Sequence, residues 1–179
     1  MSEFYTMKIA GLERKLEKFP VSDKLDIAAF IIFGDTELTV KGSEELLKKV
    51  PQFDVILTPE AKSIPIAYEM ARQSGKPYII ARKGVKVYMR NPLKVSVRSI
   101  TTAKEQELYL GETEVALLSG KKVLIVDDVI STGESLAAAR KLVSEAGGIE
   151  VASCAFLAEG DAADRTDIIY LEKLPLFFK

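Results

Sequence analysis

A chain of 179 residues is long enough for one globular domain with a sizeable core, and its 47% hydrophobic and 28% charged residues exclude a disordered or disulfide-built chain. Lys and Arg number 25 against 26 Asp and Glu, so a net charge of −1 gives no global attraction to nucleic acid or an anionic membrane. With no histidine and a single cysteine, Cys154, the chain lacks His-ligated zinc, Ser-His-Asp triads, Cys-His dyads and an intramolecular disulfide, which leaves carboxylates, cations and backbone to carry any chemistry.

Asp26 to Phe33 is apolar and predicts a strand, turned at Gly34-Asp35 into a second short strand over Glu37 to Val40, together a hairpin. Its apolar part, Ile27 to Phe33, is about a third of a membrane span. The start of the chain shows no signal peptide, so a reducing cytoplasm is the expected location. Ser43 opens a helical stretch closed by Pro51. From Phe53 the pattern alternates short apolar runs with helical periodicity: a strand over Phe53 to Leu57, a helix from Ser63 to Ser74 ended by Gly75, and a strand over Tyr78 to Ala81. The alternation returns as Lys122 to Val126, a helix from Glu134 to Ala146 stopped by Gly147-Gly148, and Val151 to Leu157.

Runs this apolar suit strands covered on both faces, which predicts an α/β fold: an open, mostly parallel sheet with helices on both faces. Ligands of such sheets sit at the carboxyl ends of the strands. Three loops therefore come first: Thr58 to Ser63, Arg82 onward, and Asp127 to Ser135.

The third loop is the most informative. Val123 to Val126 delivers two adjacent carboxylates, Asp127 and Asp128, to a turn; the turn, Ser131-Thr132-Gly133-Glu134-Ser135, opens a helix. A helix N-terminus flanked by hydroxyls cradles phosphate, because its unpaired N–H groups and dipole favour an anion. Paired carboxylates hold sugar hydroxyls or the water shell of Mg2+. A ligand with a phosphate, a sugar diol and Mg2+ meets all these demands: 5-phosphoribosyl 1-diphosphate.

The thirteen residues Val123 to Ser135 resemble the signature of type I phosphoribosyltransferases, and a weaker resemblance runs from Phe53 to the last residue. A phosphorelay receiver also places paired acids after a strand, but near the start of its domain. The resemblance implies that Ser131, Thr132, Gly133, Glu134 and Ser135 hold the 5-phosphate, and that Asp127 and Asp128 contact the ribose hydroxyls, with Mg2+ bound through substrate and water rather than directly. Glu134 stands where many relatives have a second glycine. It further implies a small β-rich N-terminal hood over the base, within residues 1–50, on a phosphoribosyl-diphosphate-binding core over 51–179. Phe30, Ile32 and Phe33 are candidate stacking partners there.

The loop Thr58 to Ser63 resembles the diphosphate loop of adenine-type members, with Lys62 in place of arginine and Ser63 in place of glycine. Ala61 and Lys62 are the implied diphosphate contacts, and Ala61-Lys62 is the bond where a cis peptide is expected by analogy; a plain strand-to-helix turn with a solvated lysine is the other reading. Arg82, Lys83, Lys86, Arg90, Lys94 and Arg98 form a basic run with no acidic residue among them. Arg82-Lys83 resembles the pair that reaches the diphosphate, and Lys83 joins Asp127 and Asp128 as an implied catalytic residue. Tyr88 to Gly111 would match a mobile loop that excludes water; a nucleic-acid arm is the rival reading. Glu105 and Glu107, followed by Tyr109, do not fit the tyrosine-flanked glutamate of adenine-type members, and they read as surface acids.

Ser131 replaces the aspartate usual in members acting on 6-oxopurines, and Ala158-Glu159-Gly160 lacks the lysine that many of them carry after this strand. Both point to an adenine-like purine. The implied function is transfer of the 5-phosphoribosyl group to a purine, most simply adenine, giving AMP and diphosphate in purine salvage. Xanthine or another purine, a regulator that binds phosphoribosyl diphosphate without turnover, and an unrelated α/β protein are the alternatives. The resemblance implies a homodimer, with neither nucleic acid nor membrane as partner. Arg165 has no assigned role, and the apolar tail Leu174 to Phe178 is expected to pack on the body or on a second subunit.

Overall fold

The computed structural model describes residues 3–98 and 105–179. Strands β1 (Phe4–Ile9) and β2 (Leu12–Ser22) form an antiparallel hairpin whose two-residue turn, Ala10-Gly11, has both φ values positive. That geometry matches the twist of the strands it joins. β2 continues to β3 (Leu25–Ala28) across a bulge between Pro20 and Ser22.

The hairpin expected over Asp26 to Val40 is not formed. β3 ends at Ala28, and Glu37 to Val40 lies in helix α1 (Thr36–Leu47). The reason is a helix start hidden among β-branched residues. Asp35 accepts from the N–H of Leu38 at 3.0 Å, and Arg14 of β2 binds both Asp35 and Glu37. Leu38, Gly42, Ser43 and Leu46 then share one buried face. Gly42 sits so close to the Phe156 ring that a Cβ there would collide with it.

The core follows as β4 (Val55–Pro59), α2 (Ile64–Ser74), β5 (Tyr78–Ala81), β6 (Leu93–Arg98), β7 (Glu105–Leu110), α3 (Glu112–Leu118), β8 (Lys122–Ile130), α4 (Glu134–Glu145), β9 (Ile149–Glu159), a 3-10 turn (Gly160–Asp164), β10 (Ile169–Leu174) and β11 (Phe177–Phe178). Five strands pair in parallel in the order β10-β9-β8-β4-β5. Every residue of β4 is buried, as is Val123 to Val126 of β8, because helices cover both faces of the sheet. Leu136, Ala139, Leu142 and Val143 of α4 pack on one face with Val95 and Leu110 from β6 and β7. On the other face lie Leu38 and Leu46 of α1, Ile66 and Met70 of α2, and Met7, Ile9 and Leu16 of the N-terminal sheet.

The tail packs on the body. Phe177 and Phe178 pair with Asp26 and Leu25 to give the N-terminal sheet its fourth strand, and the Phe177 ring meets Tyr5 edge-on at 5.1 Å. The stretch read as a loop over Tyr88 to Gly111 contains a two-stranded antiparallel ribbon, β6 with β7, because Val95, Leu108 and Leu110 bury against α4. Residues 99–104 of that stretch lie outside the described residues. No helix among the described residues is long and apolar enough to cross a membrane.

Candidate active site

The three loops leave the carboxyl ends of β4, β5 and β8, neighbours in the sheet. β8 runs four residues beyond the expected Val126, since its pairing with β9 holds to Ile130 opposite Ala158. Asp127 and Asp128 are thus fixed on a strand rather than carried by a flexible turn. Gly133, at φ 82, then turns the chain into α4, a conformation in which a side chain is strained. The N-cap of α4 is Gly133, which has no side chain to cap the helix, so the helix start suits an anion. Asp127 and all five residues Ser131 to Ser135 line one cavity of about 100 Å³, closed on one side by Gln106 of β7. That volume is roughly three waters, the scale of one tetrahedral oxyanion.

The carboxylates differ in environment. Asp128 is buried, with Oδ2 2.9 Å from the Lys62 ammonium. Asp127 accepts the backbone N–H of Asp128 at 2.9 Å, while burial and the Asp128 charge push its pKa up to about 7. Burial and the Asp127 charge also raise the Cys154 thiol, which leaves it an inert core group.

Ser63, standing in a glycine's place, is buried and knits the second loop together. Its hydroxyl donates to the Pro59 carbonyl at 3.0 Å and lies 2.7 Å from Thr58 Oγ1, which donates to the Val126 carbonyl on β8 at 2.9 Å. The cis peptide lies between Glu60 and Ala61, one bond before the expected Ala61-Lys62. Glu60 is held there by its N–H on the Ala81 carbonyl and by its carboxylate on the Lys83 N–H, at 2.9 and 3.0 Å. The same carboxylate meets Arg82 Nη2 at 3.3 Å, and Arg82 Nε is a buried donor without an acceptor among the described residues. Glu60 thus orients both diphosphate candidates. Its place in the loop Thr58 to Ser63, which resembles the diphosphate loop of adenine-type members, is the signal that could have found it.

The phosphoribosyl transferase domain pattern matches residues 34–173. The chain belongs to the phosphoribosyltransferase family. It is 32% identical over 171 residues to an adenine phosphoribosyltransferase of Thermosipho melanesiensis, covering 88% of this chain and 87% of that protein. A second, from Thermotoga petrophila, is 38% identical over 143 residues, covering 72% and 78%. Among solved structures, adenine phosphoribosyltransferase from Thermoanaerobacter pseudethanolicus superposes with a TM-score of 0.72 at 25% identity, over 89% of this chain and 95% of that one. As phosphoribosyltransferases are enzymes, the cleft between these loops is read as a catalytic one.

One residue without an assigned role lies against the loop before α4. Arg165 presents Nη1 to the turn Ser131 to Ser135 so closely that a Cβ on Gly133 would strike it. Its other edge is held by Asp167 at 2.9 and 2.8 Å, and Asp167 also accepts from Arg140 of α4 at 2.6 Å. The two guanidiniums hold the Asp167 carboxyl well below the usual carboxylate range. An arginine six residues past the end of a strand has no periodicity to flag it.

Other candidates fall outside the cleft's chemistry. Glu107 accepts from the Tyr109 hydroxyl at 2.6 Å and pairs with Lys94 at 2.5 Å, partners that hold its carboxyl below the ordinary range. It is therefore not a free surface acid, and the side chain of Glu105 lies outside the described side chains. Phe30 and Ile32 are core residues, Phe30 against Phe156 at 6.5 Å, which leaves Phe33 the exposed one of the three stacking candidates. Lys83 is exposed. A cavity of about 530 Å³ is lined by Asp54 and Lys122 at the opposite ends of the strands, away from the three loops.

Proposed function

We propose that this enzyme transfers the 5-phosphoribosyl group from phosphoribosyl diphosphate to adenine, giving AMP and diphosphate, and that Mg2+ assists. The observation that carries the reading is the small cavity in which the N-terminus of α4 and Asp127 meet, tied by the Lys62–Asp128 pair to a second, cationic loop. The relatives named above bear the adenine enzyme's name over most of this chain's length.

In this reading Ser131, Thr132, Gly133, Glu134 and Ser135 wrap the 5-phosphate, with the α4 dipole favouring its charge. Asp127 and Asp128 hold the ribose hydroxyls and orient the anomeric carbon beneath the base. Ala61, Lys62, Arg82 and Lys83 line the diphosphate subsite. Lys62 and Lys83 bring point charges, and Arg82 a planar fork that Glu60 has already aimed. The adenine nitrogen forms its bond to the anomeric carbon as the bond to diphosphate breaks, the electron pair leaving with the diphosphate and the ring proton passing to solvent. Stabilising that departing charge is the main task of the cationic loop, so no protein nucleophile is required.

Mg2+ suits this donor set. Among the described residues no three or more acids and thiols form an all-protein cage, and two adjacent carboxylates can hold a hydrated cation through its waters. When bound it would neutralise charge on the diphosphate. Residues 1–50 serve as the hood and first helix over a core of 51–179, the protein acts as a homodimer, and it works in the cytoplasm.

Diphosphate release from phosphoribosyl diphosphate and Mg2+, with adenine, hypoxanthine, guanine, xanthine, uracil or no base added, tests the reading. Release with adenine is expected. Release with another base alone would overturn the choice of adenine. Absence of release with tight binding of phosphoribosyl diphosphate would turn the enzyme into a sensor.

A further inference from the structure

We propose that Glu159 selects the base, accepting an N–H from the C6 amino group of the purine; this rests on the phosphoribosyl-transfer reading above. Glu159 is the last residue of β9, and the pairing of Ala158 with Ile130 places it level with Ser131, where the phosphate cradle begins. Ala158 belongs to the core cluster under α4, so strand alternation turns Glu159 to the opposite face. That face carries Leu124 and Val126, packed with the N-terminal sheet, and, by the same alternation, Asp128. Burial raises the Glu159 carboxyl above its ordinary value, and the charge of Lys62, paired with Asp128, offsets part of that rise.

The turn that follows is seated on the hood. Gly160 has φ 57, and Leu176 packs where its Cβ would be; the next residue, Phe177, pairs with Asp26 of β3. Glu159 therefore stands at the seam between the sheet that carries the ribose carboxylates and the sheet proposed to cover the base.

Its chemistry is unspent. The side chain is half-buried, yet its carboxylate makes no hydrogen bond or ion pair with another described residue. A partly desolvated acceptor with no internal donor is complementary to a donor brought by a ligand. An ionised carboxylate only accepts, so it matches an amino group and opposes the oxygen of a 6-oxopurine. Discrimination by an unmatched polar group in a site is larger than discrimination by shape alone.

The test is kcat/KM for adenine and for hypoxanthine, at saturating phosphoribosyl diphosphate and Mg2+, in the wild type, Glu159→Gln and Glu159→Ala. Glu159→Ala is expected to lose about tenfold to a hundredfold on adenine, the range of a charged hydrogen bond, through KM for the base. KM for phosphoribosyl diphosphate is expected to stay within about twofold in both variants, a split that a general loosening of the fold would not produce. The glutamine amide can turn its NH2 toward an oxygen, so the adenine-to-hypoxanthine ratio is expected to fall at least about tenfold in Glu159→Gln. An unchanged ratio in both folded variants of an active enzyme overturns the role of Glu159 and leaves the reaction standing. A wild type that turns over no purine overturns the reaction and this role with it.

Discussion

The Lys62 ammonium lies 2.9 Å from Asp128 Oδ2, joining the loop after β4 to the end of β8. Asp128 is buried and Lys62 nearly half exposed, so the pair is asymmetric: the acid depends on the lysine, while the lysine retains faces for a second anion. We predict that Lys62→Ala weakens diphosphate binding about tenfold, as expected for a lost charge-assisted contact, and that Lys62→Arg preserves it. Calorimetric titration with diphosphate measures both. Wild-type affinity in the alanine variant would refute the contact.

Asp127→Asn combined with Asp128→Asn is expected to abolish Mg2+-dependent binding of phosphoribosyl diphosphate, since both carboxylates proposed to hold the ribose are lost while shape is kept. An unchanged dissociation constant would remove the ribose role from this pair.

Burial and Asp128 raise the pKa of Asp127 from an ordinary 3.8 to about 7, so between those values the folded state holds a proton that the unfolded chain has released. Stability must therefore fall as pH rises through that window and level off above it. The Asp127→Asn variant should show a flatter dependence of Tm on pH between 4.5 and 8. Parallel curves for the two proteins would contradict the assignment.

Arg165→Ala is expected to raise KM for phosphoribosyl diphosphate and weaken ribose 5-phosphate binding about tenfold, with diphosphate binding unaltered. Gly133→Ala should act on the same subsite more severely, combining strain at φ 82 with collision against the Arg165 guanidinium. Equal losses for ribose 5-phosphate and diphosphate would point to general unfolding instead.

Removing residues 176–179 takes away the β11 ladder, the Phe177–Tyr5 contact and the Lys179–Asp26 ion pair at 2.8 Å. A lower Tm is the expected outcome. Unchanged thermal stability would show that the hood does not need its fourth strand.

The parallel sheet was legible because burial on both faces writes strands as unbroken apolar runs, as in Val123 to Val126. The turn Ser131 to Ser135 and the start of α4 were legible because hydroxyls and a glycine at this spacing mark a helix N-terminus. The second half of α1 was legible as the helical stretch opened at Ser43, but its start was not, since Thr36, Thr39 and Val40 favour strands and Arg14, distant in sequence, helps to hold the cap Asp35. Glu60, Arg165 and Gln106 escaped for a related reason. Each acquires its place through contacts across loops, and no local pattern encodes such contacts.

β3 pairs with β11 across almost the whole length of the chain. Such closure spans one of the longest loops in the molecule, so it becomes favourable only after the intervening strands and helices have condensed. Folding then has a direction: the parallel sheet takes shape first, and the N-terminal sheet is latched last. Until that moment β3 is an open strand edge, which makes the final two-residue strand a guard against pairing between unfinished chains.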